Sequence, residues 1–320
     1  MTGITGLGTT FNLPNYVGEL FSLSPEDTPF LSAIGGLTGG QPVNSTIFAW
    51  STYDLRDADS TRQRTEGADA PTAEERVRAA GQNVLEIHQE QVSVSYTKQA
   101  ATNQFAGSAP FVGGSNAVTD ELSWQLAQEI KQVARDVEKS FVVGTYALPG
   151  SNSSARKTRG ILEAVTTNVL DLNSAELTAD DVLDLMQLAW ENGGISETET
   201  RTLMCGATVK RKLTELFVTG KGYEERTRNV GGVDLQTIET DFGRTNLMLN
   251  RYMPNTDLVV VSLEECAPRF LEIPGKGHFF AEPLAKTGAS EKVQLYGEIG
   301  LYYGNQLKHA KISEIGADGS

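Results

Sequence analysis

The strongest hydrophobic pattern in the chain lies at Leu122, Leu126, Ile130, Val133, Val137 and Phe141, which step by 4, 4, 3, 4 and 4 residues. That spacing places all six on one stripe of an α-helix. Asp120 and Glu121 load the first turn with negative charge and Gly144 supplies a stop, so the pattern predicts a helix over 119–143. About 25 residues at 1.5 Å each make a rod of roughly 37 Å. A different period governs the region before it. In NVLEIHQEQVSVSYT, Val92, Val94 and Tyr96 alternate with polar residues, and STIFAWSTYDL has strand composition too. Between these runs, Asp54 to Arg78 holds seven acids and five arginines with almost no apolar content. The two runs predict a long hairpin with a charged tip. A lone hairpin is marginal in water and needs a partner surface.

The opening segment has the same need. Residues 1–40 are rich in Gly, Thr and Pro and read as an arm. Within them SPEDTPFLSAIGG starts a helix at Ser24-Pro25 and loses it at Thr28-Pro29, because a residue before proline is pushed out of the α region. Phe30, Leu31 and Ile34 resume helical spacing until Gly35-Gly36. Stubs this short are unstable alone, so the three apolar side chains must pack elsewhere.

After the predicted rod and a basic loop at 145–160, the pattern becomes mixed. TADDVLDLMQLAWENGG reads as a helix capped by Thr178 and closed by Gly193-Gly194; RTLMCG reads as a short buried strand. ATVKRKLTELFVTG presents Leu213, Leu216 and Phe217 as a helical face. VDLQTIETDFG, TNLMLNRYMP and DLVVVS are three strand candidates, and the tail from His278 is mostly β, with Val293, Leu295, Tyr296, Ile299, Leu301 and Tyr303.

Charge changes the picture in two places. The chain carries 27 basic against 41 acidic residues, a net charge of −14, which argues against a sequence-specific nucleic-acid binder. An acidic surface suits a protein that works beside packed polyanion without sticking to it. On the predicted rod, Lys131, Arg135 and Lys139 form a basic seam at i, i+4, i+8, with Trp124 and Gln128 above them. Like charges at that spacing weaken an isolated helix. Either the seam is a solvated face helped by Glu138, or an acidic element lies across it. No run approaches the length of a membrane helix, and the N-terminus lacks the features of a signal peptide. Cys205 and Cys266 stand in apolar surroundings and read as buried, reduced thiols of a reducing cytoplasm.

The sequence carries no catalytic signature. His88, His278 and His309 lie near no Cys, second His or acidic pair at metal-ligand spacing. There is no G-x-S-x-G elbow, the two GKG runs (220–222 and 275–277) read as turns, and TGLGTT follows no strand. Neither an enzyme nor a cofactor or metal site is expected. An arm, a hairpin and a seam that all point outward suit a chain built to touch its neighbours.

In this order the parts resemble a tailed-bacteriophage major capsid protein, across essentially the whole chain. The most specific pieces are SPEDTPFLSAIGG, the Glu66-Gly67-Ala68-Asp69 run in the hairpin tip, TDFGRTNLMLNRYMP (240–254) and EPLAKTGASEKVQLYGEIGLYYGNQ (282–306). The resemblance implies an α+β phage-capsid fold. Residues 1–40 would be the N-terminal arm, 41–104 the extended loop, and 105–160 the peripheral domain with its spine helix at 119–143. Residues 161–274 would be the axial domain, and 275–320 the return to the peripheral domain. It further implies a non-enzymatic subunit that forms pentamers and hexamers of an icosahedral shell around double-stranded DNA. The virion would be its place, after assembly in the bacterial host cytoplasm, with no membrane role. A separate scaffolding protein and a portal would be partners, with room for a decoration protein.

On that footing Phe30, Leu31 and Ile34 are expected to meet an adjoining subunit. The tip acids Asp57, Asp59, Glu66 and Asp69 are expected to face a basic stripe such as Lys131, Arg135 and Lys139. Some relatives cross-link their shells through a lysine in the extended loop. Here the first lysine is Lys98, at the hairpin base, so a non-covalent shell is expected. An encapsulin-type compartment, which shares the fold but encloses cargo enzymes, is the alternative.

Overall fold

The computed structural model describes residues 24, 26–102, 120–192, 201–219 and 237–316. In chain order its elements are α1 (Pro29–Ile34), β1 (Gln41–Val43), β2 (Ile47–Tyr53), β3 (Arg78–Val84), β4 (Glu86–Ser95), α2 (Tyr96–Thr102) and α3 (Glu121–Val143). Then come α4 (Ile161–Ala164), β5 (Val169–Asp171), α5 (Ala179–Glu191), β6 (Arg201–Cys205), α6 (Ala207–Thr214), β7 (Thr237–Thr240), β8 (Gly243–Leu249) and β9 (Leu258–Val261). The last are β10 (Ala267–Leu271), β11 (Phe279–Pro283), β12 (Ser290–Tyr302) and β13 (Ala310–Ser313). The chain divides into two compact units: 1–26, 89–133 and 280–296 form one, and 27–88, 134–279 and 297–320 the other.

The larger unit is built on a six-stranded mixed sheet in the order β5-β13-β9-β6-β8-β7. β6 runs parallel to β8 and antiparallel to β9, and every residue of β6 and β9 is buried. Uninterrupted apolar runs such as LVVV suit strands covered on both faces. One cover is supplied by α5 and α6, whose Val182, Leu185, Met186, Val209 and Leu213 pack with Leu203, Cys205, Leu258, Val260 and Ile312. α5 begins where the sequence places it. Thr178 Oγ1 accepts from the Asp181 N–H, and Asp181 Oδ2 accepts from the Thr178 N–H at 2.8 Å, a reciprocal capping box. The expected glycine stop at 193–194 lies outside the described residues.

In the same unit β1 lies parallel to β10, and β10 pairs antiparallel with β12 through Ala267↔Tyr302 to Phe270↔Ile299. The hairpin differs from the sequence expectation in its second strand. β2 pairs with β3, register Ile47↔Val84 to Tyr53↔Arg78, whereas the apolar alternation beyond Leu85 belongs to β4, which pairs with β12. The break falls at Val84-Leu85, two consecutive fully buried residues, where the Leu85 N–H donates to the Thr46 carbonyl at 2.9 Å. Strand β4 ends at Ser95, so Tyr96 opens α2 instead of closing the strand.

The smaller unit holds the outer parts of β4 and β12 with β11. There Gln89 donates to Gln294 at 3.0 Å, the Tyr96 N–H to the Ala289 carbonyl at 3.2 Å, and the Phe280 and Tyr296 rings lie 5.8 Å apart. Lys98 pairs with Glu121 at 2.5 Å.

The predicted rod is α3, of 23 residues. Asp120 Oδ1 accepts from the Leu122 N–H at 3.1 Å and so caps it. Its C-terminal stop has a packing reason: a Cβ on Gly144 would fall 2.7 Å from the Thr158 carbonyl oxygen and closer still to that of Ser140. The apolar stripe is covered unevenly. Val133, Val137 and Phe141 are buried, Leu122 and Leu126 are half-buried, and Ile130 is 39% exposed.

Candidate assembly surfaces

The arm segment is seated on its own chain. Phe30, Leu31 and Ile34, expected to wait for a neighbouring subunit, are buried within the subunit at 0, 1 and 9% exposure. The reason is Glu138. Its carboxylate, on α3, accepts the Phe30 N–H at 2.9 Å, the Leu31 N–H at 2.5 Å and the Asn250 amide at 2.6 Å. It thereby satisfies two of the donors that a helix start leaves open. Burial pushes the Glu138 carboxyl above the usual glutamate value, against the opposing pull of these three hydrogen bonds. In sequence Glu138 looked like a surface charge three residues from Arg135; it is instead fully buried.

The basic seam is divided among different partners. Lys131 pairs with Glu26 of the arm at 2.8 Å, so at this residue the acidic element across the seam is the chain's own. Arg135 donates from Nε to the Tyr252 hydroxyl at 3.1 Å, Lys139 is exposed, and Trp124 is half-buried. Next to Glu26, Asp27 pairs with Arg251 at 3.1 Å.

The hairpin is rooted by groups that sequence reasoning missed. Asn83, fully buried, donates to the Arg159 and Leu301 carbonyls at 3.1 and 2.7 Å and accepts the Arg159 N–H at 2.8 Å. Glu86 accepts the Thr158 N–H at 3.1 Å, and the Thr158 hydroxyl accepts the Leu301 N–H at 3.1 Å. Arg156 joins the Leu85 carbonyl at 3.2 Å to Glu298 at 2.9 Å. The loop 156–159 thus bonds β3, β4 and β12 together. Trp50 adds an apolar clamp. Its ring meets Tyr302 and Tyr303 edge-on at 4.8 and 4.9 Å, and its Nε1 donates to the Gly304 carbonyl at 2.7 Å. Gly81 opposite leaves the space, since a Cβ there would lie 2.5 Å from the indole.

Beyond this root the tip, residues 54–77, has no regular structure and is exposed throughout. Arg56, Arg62 and Arg76 all gather on Glu74, and Arg62 also reaches Asp59 at 3.7 Å. Asp59 Oδ1 accepts from the Thr61 hydroxyl and N–H, which hold its carboxyl below the usual range. The internal pairing consumes basic charge and leaves Asp57, Glu66 and Asp69 facing solvent. At the tip's base Tyr53, Leu55 and Val77 are 72, 69 and 79% exposed.

No group of three or more His, Cys, Asp or Glu residues able to hold a metal occurs among the described residues. Nor, among them, is any helix long and apolar enough to cross a membrane. The turn at 275–277 closes on an Ile273↔Gly277 bridge, and His278 lies against the Phe270 ring at 5.3 Å.

An arm seated on a long helix, a rooted hairpin with a free tip and a mixed sheet together define the shell-subunit fold of tailed-phage capsids. The chain superposes on the capsid of cyanophage A-1(L) with a TM-score of 0.64, covering 99% of this chain and 100% of that one at 11% identity. For the capsid of cyanophage P-SCSP1u the TM-score is 0.63, with 99% and 97% covered at 11% identity. The SrpI encapsulin of Synechococcus elongatus shares the fold more distantly, at a TM-score of 0.55, with 96% and 94% covered at 12% identity.

The chain belongs to the SU10 major capsid protein family, whose model matches residues 3–316. A major capsid protein of Escherichia phage Phieco32 is 34% identical over 137 residues, which are 43% of this chain and 34% of that relative's length. Family and fold are those of structural capsid proteins.

Proposed function

We infer that the chain is the repeating subunit of a phage head, assembling into pentamers and hexamers that tile an icosahedral shell around double-stranded DNA. The observation that carries this reading is the hairpin. A buried polar network fixes its root, while its tip keeps an apolar trio and several acids, Asp57, Glu66 and Asp69 among them, in solvent. An isolated protein gains nothing from such a projection, and an assembling one gains a surface for its neighbour. In this reading the arm is 1–40, the extended loop 41–104, the peripheral domain 105–160 with 275–320, and the axial domain 161–274. Asp57, Glu66 and Asp69 of one subunit lie over Arg135 and Lys139 of the next, with Lys131 already engaged by Glu26. Trp124 lies on the same face of the rod as the seam and extends that surface. A scaffolding protein, a portal and, in some heads, a decoration protein complete the set of partners. The genome is enclosed without sequence-specific contact, and assembly takes place in the host cytoplasm.

Charge reversal tests the contact. Arg135→Glu with Lys139→Glu is expected to abolish shells or to halve the salt concentration they survive, while leaving the subunit folded by circular dichroism. Assembly indistinguishable from wild type would sink the hairpin-to-seam pairing. Shells filled with protein cargo and lacking DNA would favour the encapsulin reading instead.

A further inference from the structure

The Glu138 carboxylate is a buried acid that joins three separate segments. It sits on α3, takes two backbone donors from α1 and takes the side-chain amide of Asn250, just beyond β8. Asn250 is itself fixed: its N–H donates to the Cys205 carbonyl at 3.0 Å, and its Oδ1 accepts the Tyr252 N–H at 2.9 Å. Apart from Glu138 the arm is held by the burial of Phe30, Leu31 and Ile34, while its remaining polar contacts are weak. Six residues are too few for a helix to persist alone. Thr28, in the cap position, makes no side-chain bond to the α1 backbone and turns its hydroxyl toward Ser32. The Asp27–Arg251 pair is exposed on both sides and contributes little.

We propose that Glu138 is a latch: a single carboxylate that seats the arm on the spine helix and the sheet, and through which the arm can be released while the core stays folded. Without the carboxylate, the Phe30 and Leu31 N–H groups are buried donors lacking an acceptor. That penalty is relieved by letting residues 28–36 leave their seat. A glutamine at this position keeps one acceptor oxygen but sets an amide NH2 against one of these donors, so it weakens the junction with almost no change in volume. The inference stands apart from the shell reading, because it concerns the isolated subunit.

Hydrogen exchange of the full chain, followed by mass spectrometry at neutral pH, tests it. In Glu138→Gln, exchange of residues 28–36 is expected to rise by about tenfold or more, while peptides from α5 and β6 keep their protection. Chymotrypsin is expected to cut the variant after Phe30 or Leu31 faster than wild type. Glu138→Asp, which keeps the charge one methylene shorter, is expected to recover part of the protection. Unchanged exchange in 28–36 overturns the latch. So does an equal loss of protection in α5 and β6, or a Glu138→Gln chain that does not fold, since Glu138 would then be an ordinary support of the core.

Discussion

His309 is fully buried with both ring nitrogens engaged: Nδ1 accepts the Ser262 N–H at 3.2 Å, and Nε2 donates to the Tyr303 carbonyl at 2.9 Å. Burial lowers its pKa from 6.5 to about 4, outweighing the opposing effect of the Tyr303 carbonyl. Between those two values the unfolded chain takes up a proton that the folded chain refuses, so stability falls as the pH drops through that window. Its full extent is about 3 kcal/mol. Denaturant titrations from pH 7 to 4.5 should show this loss, and His309→Gln should flatten it; an equal slope in the variant would contradict the assignment. The thiols follow the same logic of burial. Cys205 is pushed up to about 12 and Cys266 also upward, so neither should react with a thiol reagent until the chain unfolds. For Cys205 that much was legible from its apolar flanks, whereas Cys266 follows Glu264 and Glu265. The clamp at Trp50 was not, because its acceptor lies 254 residues away and Gly81 looks like any strand glycine. Gly81→Val should cost about 1–3 kcal/mol in denaturant unfolding by displacing the indole. Glu138 was hidden for a similar reason: its partners in α1 are 107 and 108 residues distant.

At the scale of elements, periodic patterns read well and their breaks read poorly. The stripe from Leu122 to Phe141 gave α3 to within two residues at its N-terminus and none at its C-terminus. The capping box at Thr178 likewise gave the start of α5. The hairpin was half legible. The composition of STIFAWSTYDL marks β2, but the run beginning at Asn83 is not one strand, because Val84 and Leu85 are adjacent apolar residues, which alternation cannot place on one face. Those two residues mark the bend where β3 leaves the hairpin and β4 turns to β12. The polar lock beneath it, Asn83, Glu86 and Thr158, resembles any surface sequence until its partners are known. Replacing residues 56–75 with a short Gly-Ser turn should therefore leave thermal unfolding within a few degrees of wild type and abolish shells. A large loss of subunit stability would show that the tip supports the fold and not the assembly.

For the whole molecule, what sequence gave was the order of parts, and what it withheld was their pairing. Nothing in RTLMC or LVVV states that β6 lies between β8 and β9, or that β13 returns beside β5. The order of parts was nevertheless enough to point to the family that the comparison over residues 3–316 shows. The absence of lysine before Lys98, itself paired with Glu121, predicts a shell held by burial and ion pairing. Mature particles boiled in detergent should run as a single monomer band, and a ladder of covalent multimers would refute this. Self-assembly is tested most simply by expressing the full chain by itself and observing it by light scattering and electron microscopy. Capsomers, tubes or shells in which the hairpin of each subunit lies over the next are the expected result. A compact monomer at all concentrations, with residues 54–77 ordered and resistant to protease, would contradict it.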